Sequence, residues 1–124
     1  MKLTYFNYLF SKEISAKDIP DRSMDTANRL MLSLDEICER RFGGDTQNPN
    51  LAAEVQFTED NPILRREYLV GGVRVFTVVD LTLGRYSSDV SYEESCKNDA
   101  LLAALQEFYG QSPEPVVHKR STSK

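Results

Sequence analysis

Two runs of alternating apolar residues, Ile63 to Val70 and Val73 to Leu83, stand on either side of the pair Gly71-Gly72. Two glycines between such runs supply the positive-φ residues of a tight turn whose twist suits an antiparallel hairpin. With a two-residue loop the register follows: Val70 faces Val73, Tyr68 faces Val75, Arg66 faces Thr77 and Leu64 faces Val79, all on one side. That side is the expected core face. The opposite side pairs Leu69 with Arg74, Glu67 with Phe76, Arg65 with Val78 and Ile63 with Asp80, setting apolar groups among charges.

A hairpin with one apolar face needs a covering layer, and the chain supplies helices for it. Met24, Ala27, Leu30, Met31, Leu34, Ile37, Cys38 and Phe42 recur at three- and four-residue steps, which predicts an amphipathic helix from about Ser23 to about Phe42. Asp21, Ser23 or Asp25 can cap its start, Arg40 and Arg41 suit the negative end of its dipole, and Gly43-Gly44 stops it. Ser91-Tyr92-Glu93-Glu94 has the form of a capping box ahead of Leu101, Leu102, Leu105, Phe108 and Tyr109, predicting a second helix that ends at Gly110. Leu3 to Phe10, dense in aromatics, and Leu51 to Thr58, alternating cleanly, read as strands; Gly84 to Val90 breaks the alternation. The expected fold is an α+β two-layer sandwich in the order β-α-β-β-β-α, with an antiparallel sheet of three to four strands and two helices on one face.

At 124 residues, with 40% hydrophobic and 27% charged side chains, the chain suits one globular domain, expected over residues 1–111. Residues 112–124, with two prolines and a Ser, Thr and Lys-rich end, are expected to form a disordered tail. The start alternates Tyr, Asn and Thr with apolar residues instead of forming a signal-peptide core, and no apolar run approaches the roughly 18 residues of a membrane span. A cytoplasmic location is expected. Cys38 and Cys96 both fall on expected apolar helix faces and read as small buried hydrophobes rather than a disulfide framework.

Catalytic chemistry finds few candidates. The single histidine, His118, lies in the expected tail, and neither cysteine has an activating neighbour or metal-ligand spacing. No cofactor and no metal site is expected. Asp35, Glu36 and Glu39, the pair Glu59-Asp60, and the pair Glu93-Glu94 each suit a polar helix face, a turn or a helix start. Asp45 followed by Glu54-Val55-Gln56 loosely echoes the acidic order of metal-dependent nucleases, yet Gln56 stands where a lysine is wanted, so a small nuclease is only an alternative. The core order α-β-β-β-α is also that of double-stranded RNA-binding domains. Those domains need a basic second helix, whereas this one starts acidic and has Lys97 as its only base.

Net charge is −4, and removing the last twelve residues leaves 12 basic and 18 acidic side chains. Such a body repels phosphate backbones and favours a partner with a basic surface. Arg65, Glu67, Arg74, Phe76, Val78 and Asp80, on the second face of the hairpin, combine arginine and an aromatic within a charged rim, the composition of protein interfaces. The sequence therefore points to a non-enzymatic protein-binding module, of the kind represented by small inhibitors, immunity proteins and phage or mobile-element accessory proteins.

Overall fold

The computed structural model describes residues 2–47 and 57–121. Its centre is a six-stranded antiparallel sheet built from β1 (Lys2–Glu13), β2 (Asp45–Gln47), β3 (Ile63–Val70), β4 (Val73–Asp80), β5 (Arg85–Glu93) and β6 (Val116–Ser121). The strand order is β2-β3-β4-β5-β1-β6. Among the described residues two α-helices, α1 (Met24–Asp35) and α2 (Asp99–Tyr109), cover one face. The fold is thus the expected α+β sandwich, with a wider sheet.

The hairpin register is the one its loop dictates. Gly71 and Gly72 have φ of 56° and 87°, and Val70↔Val73, Tyr68↔Val75, Arg66↔Thr77 and Leu64↔Val79 all pair. Leu64, Tyr68, Val70, Val73, Val75, Thr77 and Val79 are buried. The side that carries them packs against the helices.

Helix α1 begins at Ser23, whose side chain accepts from the Thr26 amide, and runs on into a wider π-helical turn over Glu36–Arg41. Its expected stripe holds: Ala27, Leu30, Met31, Leu34, Ile37 and Cys38 are buried, while Met24 stays exposed at the first turn. The chain leaves through Gly43 and Gly44, whose amides donate to the Glu39 and Cys38 carbonyls. Gly44 passes so close to β3 that a Cβ there would lie 2.5 Å from Val70 Cγ2 and 2.6 Å from the Cys38 carbonyl oxygen. Only glycine fits that crossing.

Three elements differ from expectation. Residues 85–93, where the alternation seemed to break, form β5, held between β4 and β1. Its inward positions are Tyr86, Ser88, Val90 and Tyr92, and a serine among them conceals the apolar period; Ser88 is buried because its hydroxyl bonds Thr77 Oγ1 (2.9 Å) and Tyr109 Oη (2.5 Å). The capping box at Ser91 is therefore not used. Helix α2 starts later, with Asn98 Oδ1 accepting from the Leu101 amide at 3.0 Å. The third difference is the expected tail, where Val116–Ser121 pairs with Lys2–Asn7 as β6. Val116 and Val117 favour an extended chain, and β1 offers them an open backbone edge.

β1 joins the sheet beside β5 and turns Phe6, Tyr8 and Phe10 to the helical side, so Leu3, Tyr5, Asn7 and Leu9 point to the other. The strand expected over 51–58 lies outside the described residues, apart from Phe57 and Thr58, which are not in a strand.

Candidate interaction surface

The face of the sheet away from α1 and α2 has no helix against it among the described residues. Arg65, Glu67, Arg74, Phe76, Val78 and Asp80 all lie on it, as their register requires: Arg65↔Val78, Glu67↔Phe76, Leu69↔Arg74 and Ile63↔Asp80. Arg74 is exposed and the other five are half-buried. Because β5 and β1 continue the sheet beyond β4, the surface extends past the hairpin. Phe76 faces Asp89, which faces Leu9, and Arg74 faces Ser91, which faces Asn7.

These neighbours decide which side chains are available. Asn7 Nδ2 donates to the Asp89 carboxylate and to the Val90 carbonyl (3.3 Å), so the middle of the face carries a polar pair flanked by Phe76 and Leu9. Leu9 is 64% exposed, an apolar side chain left in water on β1 just beyond the end of its pairing with β6. Asp80 is committed to structure, since Oδ1 accepts from the Thr82 and Leu83 amides at 2.9 and 3.0 Å and closes the β4–β5 turn. Arg85 is likewise held, donating to Ser11 Oγ and lying 3.9 Å from Glu13. No ion pair joins Glu67 to Arg74 among the described residues, and Arg65 Nη1 is enclosed with no hydrogen-bond partner.

The face is acidic in sum. By register four arginines, Arg65, Arg74, Arg85 and Arg120, stand against Glu13, Asp45, Glu67, Asp80, Asp89 and Glu93. Where the hairpin turn meets β1, Tyr5, Arg74, Ser91, Glu93 and Cys96 line a shallow cleft of about 220 Å³.

Elsewhere the ionisable groups hold the fold together. Asp35 receives two hydrogen bonds from Arg66 Nη1 (2.9 and 3.1 Å) and one from the Tyr68 hydroxyl, clasping α1 to β3. The sequence placed Asp35 on a polar helix face; it is turned inward instead. Burial, with Asp35 and Glu39 nearby, pushes the Cys38 thiol up to about 12, so it is an inert core group. Cys96 is half-buried in a 3₁₀ turn (Glu94–Cys96) rather than on a helix face. Lys12 Nζ donates to the Phe108 carbonyl at 2.7 Å and lies 3.7 Å from the Phe108 ring centroid, and burial lowers its pKa.

A larger cavity of about 590 Å³ opens at the opposite end of the sheet, lined in part by Ile14, Ile19, Asp21, Leu81 and Leu83. Of its two carboxylates, Glu13 and Asp21, the latter accepts hydrogen bonds from Ser23 N, Ser23 Oγ and Thr26 Oγ1. No group of three His, Cys, Asp or Glu side chains is placed to hold a metal ion among the described residues. Asp45 sits in β2 opposite Leu69, while Glu54 and Gln56 lie outside the described residues. His118 lies exposed in β6, opposite Tyr5.

The surface so defined is that of an α+β sandwich with a helix-covered face and a second, acidic face bearing exposed apolar groups. Compared with protein-family models, with curated proteins and with solved structures, the chain matches none.

Proposed function

We propose that this chain is a non-enzymatic protein-binding module that docks a partner with a basic surface on the acidic face of its sheet. It would act as small inhibitors, immunity proteins and phage or mobile-element accessory proteins do, by occluding that partner, and a cytoplasmic setting is proposed with it. The observation that carries the reading is the row Glu67, Phe76, Asp89, Leu9 across the uncovered face. Apolar groups there alternate with carboxylates. Such a row gives apolar anchoring and selects for positive charge opposite it. No described helix is long and apolar enough to cross a membrane.

The test is affinity capture from a bacterial lysate by the natural chain and by Glu67→Lys with Phe76→Ala, which puts a repelling charge beside the lost anchor. Loss of an aromatic anchor commonly costs 2 kcal/mol or more of binding, roughly thirty-fold. The expected result is that captured basic proteins disappear with the double variant and at raised salt, while circular dichroism stays unchanged. An identical captured set from the folded double variant would remove the sheet face from consideration.

A further inference from the structure

We propose that β6 is a docking edge to which an extended acidic segment of another protein adds as a seventh strand. The sheet has two edges, and they are unequal. Among the described residues β2 is three residues long and begins with Asp45, a short edge with a charge on it of the kind that discourages pairing. β6 is six residues long, pairs with β1 on one side, and pairs with nothing on its outer side among the described residues. Alternate N–H and C=O groups along that outer side are therefore available to a further strand.

Charge selects the occupant. β6 and the β1 residues it pairs with, Lys2–Asn7, contain Lys2, Lys119 and Arg120 and no carboxylate, with Lys2 directly opposite Ser121 beside Arg120. Of the 15 Lys and Arg residues in the chain, 12 remain for the rest of it, against all 19 Asp and Glu. The basic charge is thus concentrated on the longer open edge of an otherwise acidic protein. Val116 and Val117 are 54% and 47% exposed and lie on opposite faces of the strand, giving an incoming strand an apolar contact on each side. A segment alternating apolar and acidic residues fits both features. Nucleic acid would use the charges but leave the backbone groups unpaired.

The probe is a fluorescent peptide of about eight residues alternating valine and glutamate, measured by anisotropy against the full chain. Three comparisons decide the matter: a valine–lysine peptide, a valine–glutamate peptide methylated at alternate backbone nitrogens, and the chain carrying Lys119→Glu with Arg120→Glu. The acidic peptide should bind, and each change should weaken binding about ten-fold or more. Glu67→Lys with Phe76→Ala should leave it unaltered, which separates this edge from the sheet-face reading. Equal binding of the methylated peptide would reduce the edge to a charged patch and overturn strand addition. So would equal binding of the lysine peptide, tighter binding of a single-stranded oligonucleotide, or no weakening in the folded charge-reversed variant. Should that variant fail to fold, the methylated peptide on the natural chain decides alone.

Discussion

Replacing Asp35 by Ala should destabilise the protein by about 3 kcal/mol, because three hydrogen bonds end on one carboxylate between α1 and β3. Removing one partner of a fully buried ion pair costs about 3–5 kcal/mol. The Arg66 and Asp35 side chains retain 28% and 15% exposure, so water can reach the orphaned guanidinium and about 1–2 kcal/mol is the share to expect from that pair. Tyr68 has no such relief. It is completely buried, and a buried hydroxyl without its acceptor costs about 1–3 kcal/mol. For a chain of this length the sum corresponds to a fall of roughly 10 °C in melting temperature. Urea denaturation of Asp35→Ala, with Tyr68→Phe added in a second variant to return the hydroxyl's share, measures the two parts separately. A loss under about 1 kcal/mol, or no recovery on adding Tyr68→Phe, would show that the clasp contributes no more than a surface ion pair.

Truncating Leu34 to Ala, at the fully buried centre of the α1 stripe, should cost about 2–5 kcal/mol in the same assay. A thiol reagent should modify Cys96 in the native protein and reach Cys38 only on unfolding, since Cys38 is sealed in the core; equal rates for both would contradict that burial. Hydrogen bonds from Ser23 and Thr26 hold the Asp21 carboxyl down at about 2 from 3.8, so its stabilising contribution is present above pH 3.8 and fades as pH falls toward 2. Asp21→Asn should flatten the acid limb of a stability–pH profile in that window, and an unchanged limb would refute it. Ending the chain after Pro115 should lower the melting temperature, because β1 then loses its pairing with β6; an unchanged midpoint would mean that β6 adds nothing to the body.

The parts of the fold legible in the sequence are those where local chemistry and tertiary demand coincide. Gly71-Gly72 sets a loop length, loop length sets register, and register sets faces, so six surface residues and seven core residues of the hairpin were placed by counting alone. The α1 stripe is legible for the same reason: its period and its burial are one fact. β6 is not, because its order comes from the open edge of β1, more than a hundred residues earlier in the chain. Neither of the features that carry it, exposed valines and a run of basic residues, distinguishes an edge strand from a tail when read locally.

The concealed half of the candidate surface has a more specific cause. Asp89, Ser91 and, through their pairing, Leu9 and Asn7 stayed unread because β5 has a polar residue in its inward row, and a strand without an apolar period resembles a loop. Ser88 can stand there only because Thr77 and Tyr109 meet its hydroxyl, a condition set by β4 and α2 together. Arg66 poses the same problem with a readable answer. The register puts a guanidinium on the core face, and a charge there requires a carboxylate from the covering layer. On α1 that carboxylate is Asp35, next to the core residue Leu34, so the clasp was implied by the hairpin even though helix periodicity assigned Asp35 to solvent. Arg65, one residue earlier, is turned by the same register to the other face, where its enclosed Nη1 has no hydrogen-bond partner among the described residues.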